Sequence, residues 1–367
     1  MSEWRECKLG DVLEIKYGKD HKKLNEGVIP VYGSGGIMRY ADTALYDEES
    51  ILIPRKGTLN NIFYINKPFW TVDTLFYTKP NKSLVNIKFL YYQLSQIDFN
   101  ALNVGSAVPS LTVSVLNDVL IDLPELPEQK AIAAVLSSLD DKIDLLHCQN
   151  KTLEAMAETL FKQWFVVEAG EDLEECNLED LCIQIASGST PSTKIETYYN
   201  GYINWYSTKE LKDNFLFESK SKISEDGLKN SSAKLFPINT VVMAIYAAPT
   251  VGRLGILASE ASFNQAACGL IADEKICCTE FIYLYLKSQR NEFNLMASGS
   301  AQQNLNVGKI KTYPAFKVPT ELMLIFKKVI KPIFNKISQN TSQIQTLETL
   351  RDNLLPKLMS GEVRVKY

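Results

Sequence analysis

Between Pro127 and Val167 the apolar residues recur at alternating steps of four and three. Ile132, Leu136, Leu139, Ile143, Leu146, Leu153, Ala157, Leu160 and Trp164 follow this rule, and Asn150 holds the polar place in the series. That spacing predicts a long helix carrying one narrow coiled-coil seam. Adding 194 to each number yields a second series in the same phase: Phe326, Ile330, Ile333, Ile337, Asn340, Ile344, Leu347, Arg351, Leu354 and Leu358. A helix with a single thin apolar stripe needs a partner to bury it. The repeat predicts that the partner lies within the same chain. A straight helix from Ile132 to Trp164 would run about 50 Å at 1.5 Å per residue, longer than a compact domain requires, so the stretch reads as a spacer.

The polar members of the seams indicate how the helices pair. In a parallel pair Asn150 would face Ile344 and Asn340 would face Leu146, leaving two buried amides unpaired at about 1–3 kcal/mol each. An antiparallel pair whose facing numbers sum to 490 brings Asn150 to Asn340, Leu136 to Leu354, Ile143 to Leu347, Leu153 to Ile337 and Trp164 to Phe326. Asn150 and Asn340 would then satisfy each other and fix the register. Arg351 would face Leu139, with its stem packed there and its head reaching water. Pro332 and Pro356 are expected to bend the second helix or end it early.

Hydrophobic patterning elsewhere repeats as well. Ser50–Pro54 and Asn61–Ile65 read as strands, and Ile87–Gln96 as an amphipathic helix. Val241–Ile245 takes the place of the first of these strands, and Phe281–Gln289 parallels the helix. Gly105-Ser-Ala-Val-Pro-Ser-Leu111-Thr-Val113 recurs as Gly299-Ser-Ala-Gln-Gln-Asn-Leu305-Asn-Val307, again 194 residues on. The order is therefore domain, helix, domain, helix: residues 1–126, 127–170, 171–319 and 320–367. The fold class expected is α/β in the α+β sense, two similar mixed domains separated by an antiparallel two-helix coiled coil as a pseudo-twofold tandem repeat. Gly33-Ser-Gly-Gly36 lacks the spacing of a phosphate-binding loop and predicts a tight turn.

Composition narrows the chemistry. The 367 residues are 46% hydrophobic and 22% charged, which is globular, and the formal charge of −4 argues against indiscriminate binding to polyanions without excluding a local patch. No signal peptide or membrane span is legible, so a cytoplasmic location is expected. Seven cysteines without a C-x-x-C pair read as free buried thiols. With His21 and His147 the chain's two histidines, neither a structural metal nor a histidine-dependent catalytic triad is expected. No cofactor is expected. Two related modules held apart suit a ligand with two separated sites, and at about 3.4 Å per base pair a 50 Å rod spans roughly 15 base pairs of duplex DNA.

Several stretches resemble, in order along nearly the whole chain, the specificity subunit of type I restriction-modification enzymes. Leu354-Leu-Pro-Lys-Leu-Met-Ser-Gly-Glu-Val363 is similar to that family's closing signature, and Leu123-Pro-Glu-Leu-Pro-Glu-Gln129 to the start of its first spacer helix. Phe161-Lys-Gln-Trp-Phe165 resembles the exit of that helix. Ser187-Gly-Ser-Thr-Pro-Ser192, followed by Tyr198-Tyr-Asn-Gly and Ile203-Asn-Trp-Tyr, resembles one opening of target recognition domains; Pro30-Val-Tyr-Gly-Ser-Gly-Gly-Ile37 resembles another. The resemblance implies a subunit without catalytic activity of its own. Each target recognition domain would read one half of a bipartite double-stranded DNA site, and the helices would dock two methyltransferase subunits. Motor-nuclease subunits would join for restriction.

Base reading calls for amides, guanidinium groups and hydroxyls on loops, and phosphate anchoring for Lys, Arg and hydroxyls. The first-domain candidates are Lys19, Lys22, Lys23, Tyr32, Ser34, Arg39, Arg55 and Lys56. In the second domain they are Thr190, Ser192, Lys194, Tyr206, Ser207, Lys209, Arg253, Gln302, Gln303 and Asn304. Arg55-Lys56 and Gln302-Gln303-Asn304 stand out because turns present them. Two other readings are a two-headed adaptor for protein partners, compatible with the low net charge, and a self-sufficient methyltransferase, disfavoured by the missing S-adenosylmethionine loop.

Overall fold

The structure is a computed structural model and describes residues 4–105, 107–167, 173–246, 250–298 and 305–366. The chain divides into two compact units, Met1–Ile143 with Leu347–Tyr367, and Asp144–Thr346.

In the first unit, β1 (Arg5–Lys8) pairs antiparallel with β9 (Leu120–Leu123), the strand that leads into the long helix. A four-stranded sheet follows the order β2-β8-β5-β6, formed by Leu13–Tyr17, Leu75–Pro80, Ser50–Pro54 and Phe63–Ile65. Every residue of β5 is buried, which accounts for its unbroken apolar run. A three-stranded sheet has the order β4-β3-β7, from Gly36–Ala41, Ile29–Gly33 and Trp70–Thr71, with β3 and β7 parallel. The expected tight turn joins β3 to β4, and Gly36 takes φ +113°, which favours a residue without a Cβ. Helix α1 (Ile87–Leu94) is capped by Asn86, whose side chain accepts from the Phe89 amide. It covers the sheet with Phe89 and Leu90.

The second unit repeats this plan with one strand added. β10 (Glu174–Asn177) pairs with β19 (Pro314–Lys317) as β1 does with β9. Its large sheet runs β11-β18-β15-β16, formed by Cys182–Ser187, Ala267–Ala272, Val241–Ala244 and Leu254–Leu257, with β13 (Asn214–Leu216) added at the edge. The small sheet runs β14-β12-β17, formed by Ser221–Ile223, Tyr199–Tyr206 and Ala261–Phe263. Here β12 and β17 are the parallel pair. Two units sharing one strand order and the same parallel pairing in the small sheet are a structural duplication, as the 194-residue offset implies; β13, parallel to β16, is an addition of the second.

Two long helices complete the units: α2 (Leu126–Lys162), whose last turn passes into a π-helix at Gln163–Val167, and α4 (Thr320–Met359). The helix matching α1 in the second copy is α3 (Thr279–Ser288). Within the first unit Leu136 of α2 shares a core with Leu354 and Leu358 of α4, while Glu128 pairs with Arg364 and Asp140 with Arg351. Partners fall in number as α2 rises, so the helices run antiparallel. Within the second unit Asn340 Nδ2 donates to Asn150 Oδ1 at 2.9 Å, and the rings of Trp164 and Phe326 lie 5.7 Å apart. The pairing of Asn150 with Asn340 and of Trp164 with Phe326 is the one the seam arithmetic required.

Three details of the helix pair differ from expectation. The two asparagines do not satisfy each other reciprocally: Asn150 Nδ2 donates to Thr341 Oγ1 at 3.3 Å, and buried Asn340 Oδ1 has no partner among the described residues. Arg351 does not send its head to water over Leu139. Its guanidinium bonds Asp140 at 3.0 Å, and Asp140 also accepts from the Tyr92 hydroxyl at 2.6 Å, joining α4, α2 and α1. Neither Pro332 nor Pro356 ends α4, which runs through both to Met359, so of the two outcomes expected of them the early end does not occur. Both sit on its exposed face, where water can take the carbonyls that lose their helical donor. All seven cysteines are free, but Cys148 on α2 is exposed, and Cys176 and Cys182 are half-buried, rather than buried as expected.

Candidate nucleic-acid interface

In the first copy the chain leaves β2 through Gly18, where a Cβ would meet the Val72 carbonyl oxygen at 2.0 Å, so no side chain fits. The Gly18 and Lys19 amides donate to Leu75 O and Thr71 O, and Trp70 Nε1 donates to Lys19 O at 3.0 Å. These bonds pin the segment that carries exposed Lys19, Lys22 and Lys23 against the β7–β8 turn. Asp20, His21, Lys22, Ser34, Asp73 and Thr74 line a concave opening between that segment, the β3–β4 turn and the β7–β8 turn.

The loop after β5 closes the same surface. Arg55 Nη1 donates to Asp73 O at 3.2 Å and its guanidinium lies 5.4 Å from the centre of the Tyr17 ring, so Arg55 braces the β7–β8 turn. Lys56 is exposed and its backbone bridges to Ser110. Gly57 takes φ +93°, donates to Pro109 O and approaches Ser34 Oγ. Asn61 Nδ2 holds Ser34 O at 2.8 Å, and Asn103 Oδ1 accepts the amides of Gly105 and Ser110 at 2.8 Å each. Lys22 and Ser34 thus line one opening, and Lys56 precedes Gly57, which lies beside Ser34.

Tyr32 and Arg39 do not join them. The Tyr32 ring packs 5.9 Å from Phe63, and burial pushes its phenol above the ordinary value. The Arg39 guanidinium donates to the carbonyls of Leu24 and Tyr40, holding the Lys-bearing segment from behind.

The second copy repeats the pinned exit. A Cβ at Gly188 would meet Phe263 O at 2.1 Å, Ser189 N donates to Phe263 O, and Trp205 Nε1 donates to Ser189 O at 3.0 Å. Thr190 follows with its hydroxyl on Gln265 Oε1, and Ser192 and Lys194 lie exposed beyond it. Tyr206 is 1% exposed within the core, so its phenol faces no ligand. The Ser207 hydroxyl donates to Glu210 Oε2 at 2.8 Å in a capping box, a local structural role. Lys209 is exposed on that turn and Arg253 is half-buried. The loop bearing Arg253 is clamped by Arg290, which donates to Gly252 O at 2.8 Å and forks onto Asp213. Gln302, Gln303 and Asn304 lie outside the described residues. The expected set omitted the turn Asn264–Ala266, the counterpart of Val72–Thr74. Only its place after the glycine-pinned strand exit marks it.

This geometry defines a duplicated α/β protein whose copies each present turn-mounted polar and basic side chains and share a pair of long antiparallel helices. Residues 1–155 and 170–348 match the type I restriction modification DNA specificity domain, and the chain belongs to that family. It is 26% identical over 352 residues to the type I restriction enzyme MjaIX specificity subunit of Methanocaldococcus jannaschii, spanning 88% of this chain and 79% of that one. It is 24% identical over 376 residues to the HindI specificity subunit of Haemophilus influenzae, spanning 80% and 81%. The fold matches the crystal structure of a type I restriction-modification S subunit from M. genitalium with a TM-score of 0.70 at 16% identity, covering 97% of this chain and 96% of that one. Among the described residues no helix is long and apolar enough to cross a membrane.

Proposed function

We propose that this chain is the sequence-reading, non-catalytic subunit of a type I restriction-modification complex in the cytoplasm. Each α/β copy reads one half of a bipartite DNA site, and the paired helices carry two methyltransferase subunits, with motor-nuclease subunits joining for restriction. One observation carries this reading beyond family membership. The two copies keep the same framework, with glycine-pinned strand exits and the same strand order, but place different side chains on the equivalent turns: Asp20 and Asp73 in one, Thr190 and Gln265 in the other. A conserved frame with divergent turn chemistry suits two modules that read different base sequences.

Lys22, Ser34 and Lys56 are the proposed contacts of the first copy, with Lys19 and Lys23 toward phosphates. Thr190, Ser192, Lys194, Lys209 and Arg253 are those of the second. The complex purified with its methyltransferase subunits should methylate a divided site. A chain that assembles with those subunits yet directs methylation to no defined sequence would refute the proposal.

A further inference from the structure

Val72–Leu75 is a β-turn closed by the Leu75 amide on Val72 O at 3.0 Å, with Asp73 and Thr74 at its centre. Its backbone is held from three sides. The Val72 amide donates to Tyr32 O at 3.0 Å, the Arg55 guanidinium to Asp73 O at 3.2 Å, and the amides of Arg55 and Lys56 to Thr74 O at 2.8 and 3.3 Å. All of these bonds go to the main chain of the turn. Asp73 is exposed and lines the concave opening with Lys22 and Ser34, and among the described residues no hydrogen bond or ion pair engages its carboxylate. Asp20, the other carboxylate of the opening, accepts the Lys22 amide at 3.1 Å and so shapes its own loop. The Asp73 carboxylate has no such local role.

A carboxylate on this surface is a disadvantage to a protein that binds a polyanion, because it repels phosphate and weakens contact with every DNA sequence alike. Only a hydrogen-bond donor on the DNA offsets that repulsion. An ionised carboxylate has acceptors on both oxygens and no donor, so however the side chain turns above its fixed backbone it offers the same chemistry. In the major groove guanine N7 and O6 and thymine O4 are acceptors and oppose it, whereas cytosine N4 is a donor. Adenine N6 is a donor as well, but its neighbour N7 is an acceptor and opposes the second carboxylate oxygen. Resting on the DNA-reading function above, we propose that Asp73 is a base-contacting residue of the first copy that selects cytosine by accepting from its N4 amino group, with Arg55 the positioning residue that fixes the turn.

The test is the methylated motif produced in cells by the chain expressed with its methyltransferase subunits, mapped across a genome for wild type, Asp73→Ala and Asp73→Asn. One half of the wild-type motif should contain a C·G pair that Asp73→Ala relaxes, with methylation of sites carrying another pair there rising on the order of tenfold relative to the wild-type site. Asp73→Asn keeps the side-chain shape and replaces one acceptor with a donor. It should shift the same position toward adenine, whose N6 and N7 match a carboxamide. The other half of the motif should be unchanged in both, which shows that the variants fold and assemble. Should Asp73→Ala fail to assemble, the isosteric Asp73→Asn decides alone, because the turn is held through its main chain. Unaltered motifs in the variants would overturn the proposal and leave Asp73 a charge that only repels phosphate; relaxation at an A·T pair in place of a C·G pair would overturn it as well. A wild-type complex with no sequence-defined motif would instead remove the function on which it rests.

Discussion

Replacing Asn150 with leucine tests how the helix register is held. Asn340 is fully buried, and its Nδ2 donates to Asn150 Oδ1 at 2.9 Å. Its other contact from Nδ2, to Gln149 Oε1, is 3.4 Å long, and its Oδ1 is already unpartnered among the described residues. Asn150→Leu therefore strands a buried amide, at about 1–3 kcal/mol, against about 1 kcal/mol returned by the new apolar side chain, for a net loss of up to about 2 kcal/mol. Thr341 is not stranded, because its hydroxyl also donates to Ile337 O at 2.8 Å. Asn340→Leu alone removes the unpartnered oxygen together with the donor and should be close to neutral. The double variant places two leucines in the seam and removes every unpaired polar atom. It should be more stable than wild type, with a coupling of at least about 1 kcal/mol. Urea unfolding followed by circular dichroism at the helical band measures all four corners of the cycle. Additivity within about 0.5 kcal/mol would show that the two amides do not meet, and the antiparallel register would fall with them.

Other perturbations follow from buried charges and turn residues. Glu128 is fully buried and its carboxylate is forked by Arg364, with Oε2 2.7 Å from Nη2. Arg364→Met should destabilise by about 3 kcal/mol or more, and Glu128→Leu added to it should recover most of that, as thermal unfolding of both variants would register. Burial raises the Glu154 carboxyl above its ordinary value, outweighing Lys287 at 3.7 Å. A raised carboxyl stabilises the fold below its unfolded pKa and loses that contribution as pH rises through the folded value, so Glu154→Gln should gain stability over wild type at neutral pH. The gain should shrink as pH falls through the carboxylate range; a difference independent of pH between 4 and 7 would contradict this. Lys56→Ala should weaken binding to one half-site, and less so at higher salt, in fluorescence anisotropy with the assembled complex. Equal affinity at moderate salt would remove Lys56 from the contact surface.

The sequence revealed the parts of this structure that repeat. Seams in phase, an asparagine in each, and the Gly-Ser-Ala motif 194 residues apart gave the duplication and the antiparallel pairing before any coordinates. It could not reveal pairings that depend on where chain ends and turns come to rest. Arg364 closes on Glu128 over 236 residues, and Arg351 finds Asp140 beside the seam rather than within it. Nothing in the heptad pattern distinguishes either from a solvated charge. Tyr206 and Ser207 have the residue types of base contacts, but one is drawn into the core and the other caps a turn. Gln265 was missed for the opposite reason: no local motif surrounds it, and its hydrogen bond from Thr190 forms only in the folded sheet.

The central claim is that two related modules contact separate stretches of one duplex and leave the middle unread. Base-by-base substitution across the bound site, with affinity of the complex measured at each position, tests it most directly. The account predicts two blocks of sensitive positions separated by a run in which every base is tolerated. A single unbroken block of sensitive positions would contradict it.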